Sequence, residues 1–174
     1  FEDLFRNDGS VLGILNADHT FLNGRLAAHY GIPHVTGDQW QRVEGVGAYS
    51  RGGILTLAST LARQSGASRT SPILRGNWVS ETLLGERLPR PPKDVPLLAD
   101  DDASLEQLTI RQCTQRHTSD PACAKCHVRI DPYGFALERF DAIGRYREQD
   151  QSGHILDIRT TLADGTEVEG AQGL

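Results

Sequence analysis

Along this chain the apolar positions recur mainly at helical spacing. In NADHTFLNGRLAAHY, residues 16–30, Phe21, Leu22, Leu26, Ala27 and Tyr30 form one stripe, with Asn16 or Asp18 placed to cap its start and Gly31 and Pro33 to end it. The pattern predicts a single amphipathic helix. Residues 31–52 scatter Gly, Pro, Thr and Asp around Trp40 and predict a loop with some extended structure. ILTLASTLAR, residues 54–63, is apolar on most sides and stops at Gly66, which predicts a largely buried helix. Ser71-Pro72 announces another, a hydroxyl cap before a first-turn proline, running through Leu74, Trp78, Leu83 and Leu84 to Gly85.

Residues 86–103 contain four of the eight prolines and then three consecutive aspartates, the pattern of an extended, polyproline-like strap between two halves. Ser104 with Gln107 has the form of a capping box, and Leu105, Leu108 and Ile110 support a helix over about 105–116. Asp120-Pro121 repeats the cap-plus-proline start. GFALERF, residues 134–140, predicts a further helical turn or two that Gly144 breaks. After Gly153 the apolar residues nearly alternate around Asp164-Gly165, which predicts a β-hairpin. The fold class expected is mainly α, with a small C-terminal β-hairpin.

Composition narrows the possible partners. Eighteen Lys and Arg against twenty-three Asp and Glu leave a net charge of −5, so a basic surface for nucleic acid is not expected. Mean hydropathy is −0.40, and no apolar run approaches the roughly 18 residues that span a bilayer. Three cysteines are too few for a disulfide-dense scaffold, but their spacing carries chemistry.

Cys123-Ala124-Lys125-Cys126-His127 is a C-x-x-C-H pentapeptide, the attachment signature of c-type haem. On a helical turn the two thiols can add to the two haem vinyl groups, while His127 supplies the proximal axial imidazole. Residues 111–147 hold seven Lys and Arg against four acids, a local excess of positive charge suited to two propionates. Arg139, Arg145 and Arg147 are the propionate candidates, with ordinary surface charge as the alternative for each. Ile130, Tyr133, Phe135, Leu137, Phe140, Ile143 and Tyr146 could wall a macrocycle or form ordinary core.

Methionine is absent, so His/Met ligation cannot be built from these residues. His19, His29, His34, His117 and His154 remain as sixth ligands, alongside an open position. His117, six residues before Cys123, is favoured because a span of that length reaches about 20 Å. His29 reads as structural, and Cys113 as a buried thiol outside the motif. The pentapeptide also admits half a zinc site completed by Cys113, His117 and His127, or a redox pair, although the βαβ context of the latter is missing.

HTSDPACAKCHVRIDPYGFALERFDAIGRYR, residues 117–147, closely resembles a bacterial cytochrome-c-like family abundant in planctomycetes, whose modules were long labelled domains of unknown function. ADHTFLNGRLAAHYGIP at 17–33 resembles the end of one such module, residues 51–96 the start of the next, and the hairpin from about 153 the opening of a third. The resemblance implies three parts, 1–50, 51–152 and 153–174, within a larger exported polypeptide. It places Cys123, Cys126 and His127 at the haem positions and His117 on a recurrent family histidine.

The reading that follows is an exported c-type cytochrome module, periplasmic or extracellular, carrying single electrons through one covalent haem to an unidentified redox partner. The alternatives are a peroxidase-like or oxygen-activating haem enzyme with an open sixth position, and a structural zinc-binding module.

Overall fold

The computed structural model describes residues 1–67, 69–89 and 108–174. In chain order these carry α1 (Glu2–Arg6), α2 (Gly13–Asn16), β1 (His19–Leu22), α3 (Gly24–Tyr30), β2 (Gln41–Glu44), α4 (Ala58–Arg63), α5 (Pro72–Trp78), α6 (Ile110–His117), α7 (Pro121–Ala136), β3 (Arg159–Thr161), β4 (Glu167–Glu169) and α8 (Gly170–Gly173). Among the described residues, no helix is long and apolar enough to cross a membrane.

The stripe at 16–30 is not one helix. His19–Leu22 is a strand paired antiparallel with Gln41–Glu44, so the extended structure expected within 31–52 is half of a second hairpin. Asn23 causes the break: its side-chain oxygen accepts the Leu26 N–H at 3.0 Å, capping the helix in place of the expected Asn16 or Asp18. Gly31, at φ 71°, closes α3 as expected. Leu22, Ala27, Tyr30, Ile32 and Val46 form the first core cluster.

The second cluster joins Leu55, Leu61, Val79, Leu137 and Phe140. The run at 54–63 splits into a 3-10 turn, Ile54–Thr56, and α4, with Leu57 extended between them. Ser71 caps α5 through the Leu74 N–H, as its sequence predicts, and the helix continues as a π turn over Val79–Leu83. The polyproline strap expected at 86–103 lies outside the described residues from residue 90 onward. So does the expected Ser104–Gln107 box, while α6 begins at a capping box of Thr109 with Gln112.

The largest correction concerns α7. The motif helix takes in the first three residues of the helical stretch expected at 134–140, giving one 16-residue helix that runs through Pro132 to Ala136, and residues 137–139 of that stretch form a turn. Proline has no N–H for the preceding turn and ordinarily breaks a helix. The neighbouring helix braces the next carbonyl along, the Ser80 hydroxyl donating to that of Arg129 at 2.7 Å. Two glycines allow that helix to come close. A methyl group at Gly76 would lie 1.8 Å from the Ile130 carbonyl oxygen, and one at Gly134 would lie 2.0 Å from that of Pro72. The α5–α7 pair is thus backbone against backbone. At the far end, β3 and β4 form the expected hairpin, with the Asp164 carboxylate accepting the Thr166 N–H at the turn.

Candidate functional site

Helix α7 opens on its own punctuation. The Asp120 carboxylate accepts the Ala122 N–H at 2.8 Å and Pro121 occupies the first turn, so Cys123, Cys126 and His127 fall in the first two turns. Spacings of three and four residues bring the two sulfurs and the imidazole to one face. Both cysteines are half-buried, and neither is in a disulfide. His127 Nδ1 lies 2.8 Å from the Asp131 carboxylate, one turn further along, and both side chains are about nine-tenths buried. In the neutral imidazole, a carboxylate at that distance favours the tautomer with its hydrogen on Nδ1 and the lone pair on Nε2, the form a metal requires.

Of the other histidines, only His117 has its ring against that of His127 among the described residues, edge to face with centroids 5.1 Å apart. His19 pairs with Asp3, and His154 with Asp150. His29 lies 2.8 Å from the Ile143 carbonyl and accepts from Arg145 Nε at 3.4 Å, the structural role expected of it. His34 is exposed on a loop.

The three propionate candidates occupy different environments. Arg147 binds the buried Glu138 carboxylate at 3.3 Å, the Glu138 carbonyl and the Thr70 hydroxyl. Arg139 donates to the Tyr146 hydroxyl at 3.2 Å and keeps a buried Nε without a hydrogen-bond partner among the described residues. Arg145 holds His29 and is otherwise exposed. Among the proposed walls, Leu137 and Phe140 belong to the second core with Tyr133 packed on it, while Ile143 and Tyr146 reach the surface. Cys113 is buried, as expected.

Several charged residues that the sequence does not single out hold the frame. Arg75, 1% exposed, donates to the Leu137, Phe140 and Asp141 carbonyls and to Ser65, gathering the chain where α7 ends. Burial draws its guanidinium down to about 10, against the pull of Glu138. Burial likewise pushes the Glu138 carboxyl up, opposed by Arg75 and the Thr70 hydroxyl. Arg51 is sandwiched between the rings of Tyr30 and Phe140, at 4.0 and 4.9 Å, and donates to the Thr56 and Gly144 carbonyls. Asp131 was open to discovery from the sequence alone, since a carboxylate four residues after a histidine on a helix shares its face. No such signal marks Arg51 or Arg75, because the carbonyls they collect converge only in the fold.

The donor set fits a c-type haem: two accessible thiols and an imidazole with one nitrogen committed, all on one helix face. Tetrahedral zinc needs four converging ligands. Among the described residues no group of three or more His, Cys, Asp or Glu is arranged to hold a metal ion.

Residues 51–150 match the family model PSCyt3, described as a protein of unknown function (DUF1588), and residues 1–32 match PSD4, described as a protein of unknown function (DUF1592). No curated protein and no solved structure matches the chain. Because the first match covers more than half of its 174 residues, the chain belongs to the PSCyt3 family.

Proposed function

We propose that this chain is a c-type cytochrome module of an exported protein, carrying single electrons through one haem attached at Cys123 and Cys126. The observation that carries the reading is the His127–Asp131 hydrogen bond within a C-x-x-C-H helix. It gives the motif histidine a fixed ring and a free Nε2, which an accidental pentapeptide would not need. The PSCyt3 family name points the same way.

When bound, the haem supplies the one-electron ferric/ferrous couple. Cys123 and Cys126 tether it through thioethers, and His127 presents Nε2 to the metal. His117, whose ring lies beside that of His127, would be the candidate for a second iron ligand. Arg139 and Arg145 retain guanidinium N–H groups for propionates, whereas Arg147 is largely committed to Glu138. Thioether formation takes place outside the cytoplasm, so the periplasm or extracellular space is the compartment expected. The partner is a one-electron donor or acceptor protein.

The test is expression with a c-type maturation system, followed by intact mass and oxidised and reduced visible spectra. Haem retained after denaturation, and lost in the Cys123→Ser/Cys126→Ser double variant, supports the reading. A colourless protein containing zinc refutes it. His117→Ala is expected to convert a low-spin spectrum to high-spin, and an unchanged spectrum removes His117 as a ligand. Rapid cyanide or carbon monoxide binding by the unmodified protein would replace the carrier with the enzyme reading.

A further inference from the structure

Asp131 is an unusual residue to find where it is. It is a carboxylate with 6% exposure, and His127 is its one hydrogen-bonding partner among the described residues. Arg129, two residues before it in the sequence, pairs with Glu86 at 2.9 Å. A buried carboxylate costs free energy unless a partner offsets it. A helix-stabilising pair at this spacing gains only about 0.3–0.5 kcal/mol on an exposed surface, and requires no burial.

The backbone on either side of Asp131 is held against the neighbouring helix. Ile130 meets Gly76 across the close helix contact, Pro132 restricts the conformation of the residue before it, and Gly134 meets Pro72. The acceptor therefore sits on the half of α7 packed against α5, while Cys123, Cys126 and His127 sit on the preceding turns. Such an arrangement fixes the ring from below.

The geometry points to Asp131 as a positioning residue for the axial ligand, one that also sets the redox balance of the metal His127 holds. Its carboxylate keeps the hydrogen of His127 on Nδ1 and leaves Nε2 on the far side of the ring. It also draws on that hydrogen more strongly than a neutral acceptor would, because hydrogen bonds to ionised groups are the stronger class. The imidazole becomes a better electron donor through Nε2, which favours ferric over ferrous iron. This second effect rests on the haem reading; the control of the ring does not. In the ferric/ferrous equilibrium one electron arrives from an electrode through a mediator, and the hydrogen between His127 and Asp131 stays in place.

Two measurements test the proposal. In the haem-free 174-residue chain, at a pH where imidazole is neutral, nitrogen-15 NMR is expected to find the His127 hydrogen on Nδ1. Finding it on Nε2 overturns the proposal without touching the haem reading. In the haem-loaded protein, Asp131→Asn keeps an acceptor oxygen and removes the charge. Spectroelectrochemical titration is expected to show at least a tenfold shift toward ferrous at fixed potential, or 59 mV for a one-electron couple. Asp131→Glu, which restores the charge, is expected to recover most of that shift, and is compared with wild type should the Asn variant not fold. Wild-type potentials in Asn, or a Glu variant shifted tenfold toward ferrous, overturn the proposal. Absence of covalent haem in the wild-type protein instead refutes the cytochrome reading, leaving the tautomer result to stand or fall by itself.

Discussion

The contact between α5 and α7 allows a decisive substitution, because two general rules predict opposite outcomes for Gly76→Ala. In a helix interior alanine is favoured over glycine by about 1 kcal/mol. Here the added methyl carbon would lie 1.8 Å from the Ile130 carbonyl oxygen and 2.6 Å from its carbon, and ordinary contact begins at 3.4 Å. The helices must part by about 1.6 Å along that line, since the obstacle is backbone and cannot rotate away. Overpacking typically costs about 1–3 kcal/mol, and a rigid obstacle belongs at or beyond the top of that range. Steric cost therefore exceeds propensity, and a net loss of about 2 kcal/mol or more is expected. For a chain of this length that corresponds to a fall in Tm of about 4–8 °C, measured by calorimetry or circular dichroism. Gly134→Ala, whose methyl would lie 2.0 Å from the Pro72 oxygen, should behave alike. The double variant should lose less than the sum, because either methyl alone separates the same pair of helices. Gly13→Ala is the control, its nearest neighbour being the flexible end of Leu4 at 3.3 Å. A Gly76→Ala protein as stable as wild type, or more so, would refute the backbone-contact reasoning.

Other substitutions probe the remaining frame. Arg75→Leu deletes the donor for three carbonyls and Ser65 and leaves Glu138 with less compensation, so urea unfolding should show a loss of about 3–5 kcal/mol. Glu138 has its folded pKa raised by burial, so its favourable contribution is present below the unfolded value of 4.5 and is lost as pH rises through the folded value. Wild type should accordingly lose stability relative to Glu138→Gln as pH rises through that window, and a difference that grows instead would contradict the burial argument. Asn23→Ala removes the cap of α3 and should cost about 1 kcal/mol in the same assay.

What the sequence made legible was mostly punctuation and local chemistry. Ser71-Pro72, Asp120-Pro121, Gly31 and Asp164-Gly165 each act through their own or adjacent backbone, and each is found in its expected role. The relative placement of Cys123, Cys126 and His127 follows from helical geometry alone. Errors arose where tertiary contacts outvote local preference. His19–Leu22 happens to continue the apolar stripe of α3, yet it pairs with Gln41–Glu44, beyond the helix that follows it. The helix of the motif runs on through Pro132 to Ala136, where its packing on α5 at Gly76 and Gly134 is a contact that local sequence does not reveal. Arg75, Glu138 and Arg51 look like surface charge because nothing local reveals which carbonyls and rings will surround them.

Arg51 has a consequence for how the polypeptide can be divided. Its guanidinium lies between Tyr30, inside the PSD4 match, and Phe140, inside the PSCyt3 match. The Tyr30 hydroxyl also accepts the Ala58 N–H at 3.0 Å. A fragment cut at residue 51 would strip one ring from a stacked cation and one acceptor from the start of α4. The unit of sequence similarity and the unit that folds are offset here, and a stable recombinant piece has to carry its neighbour's tyrosine with it.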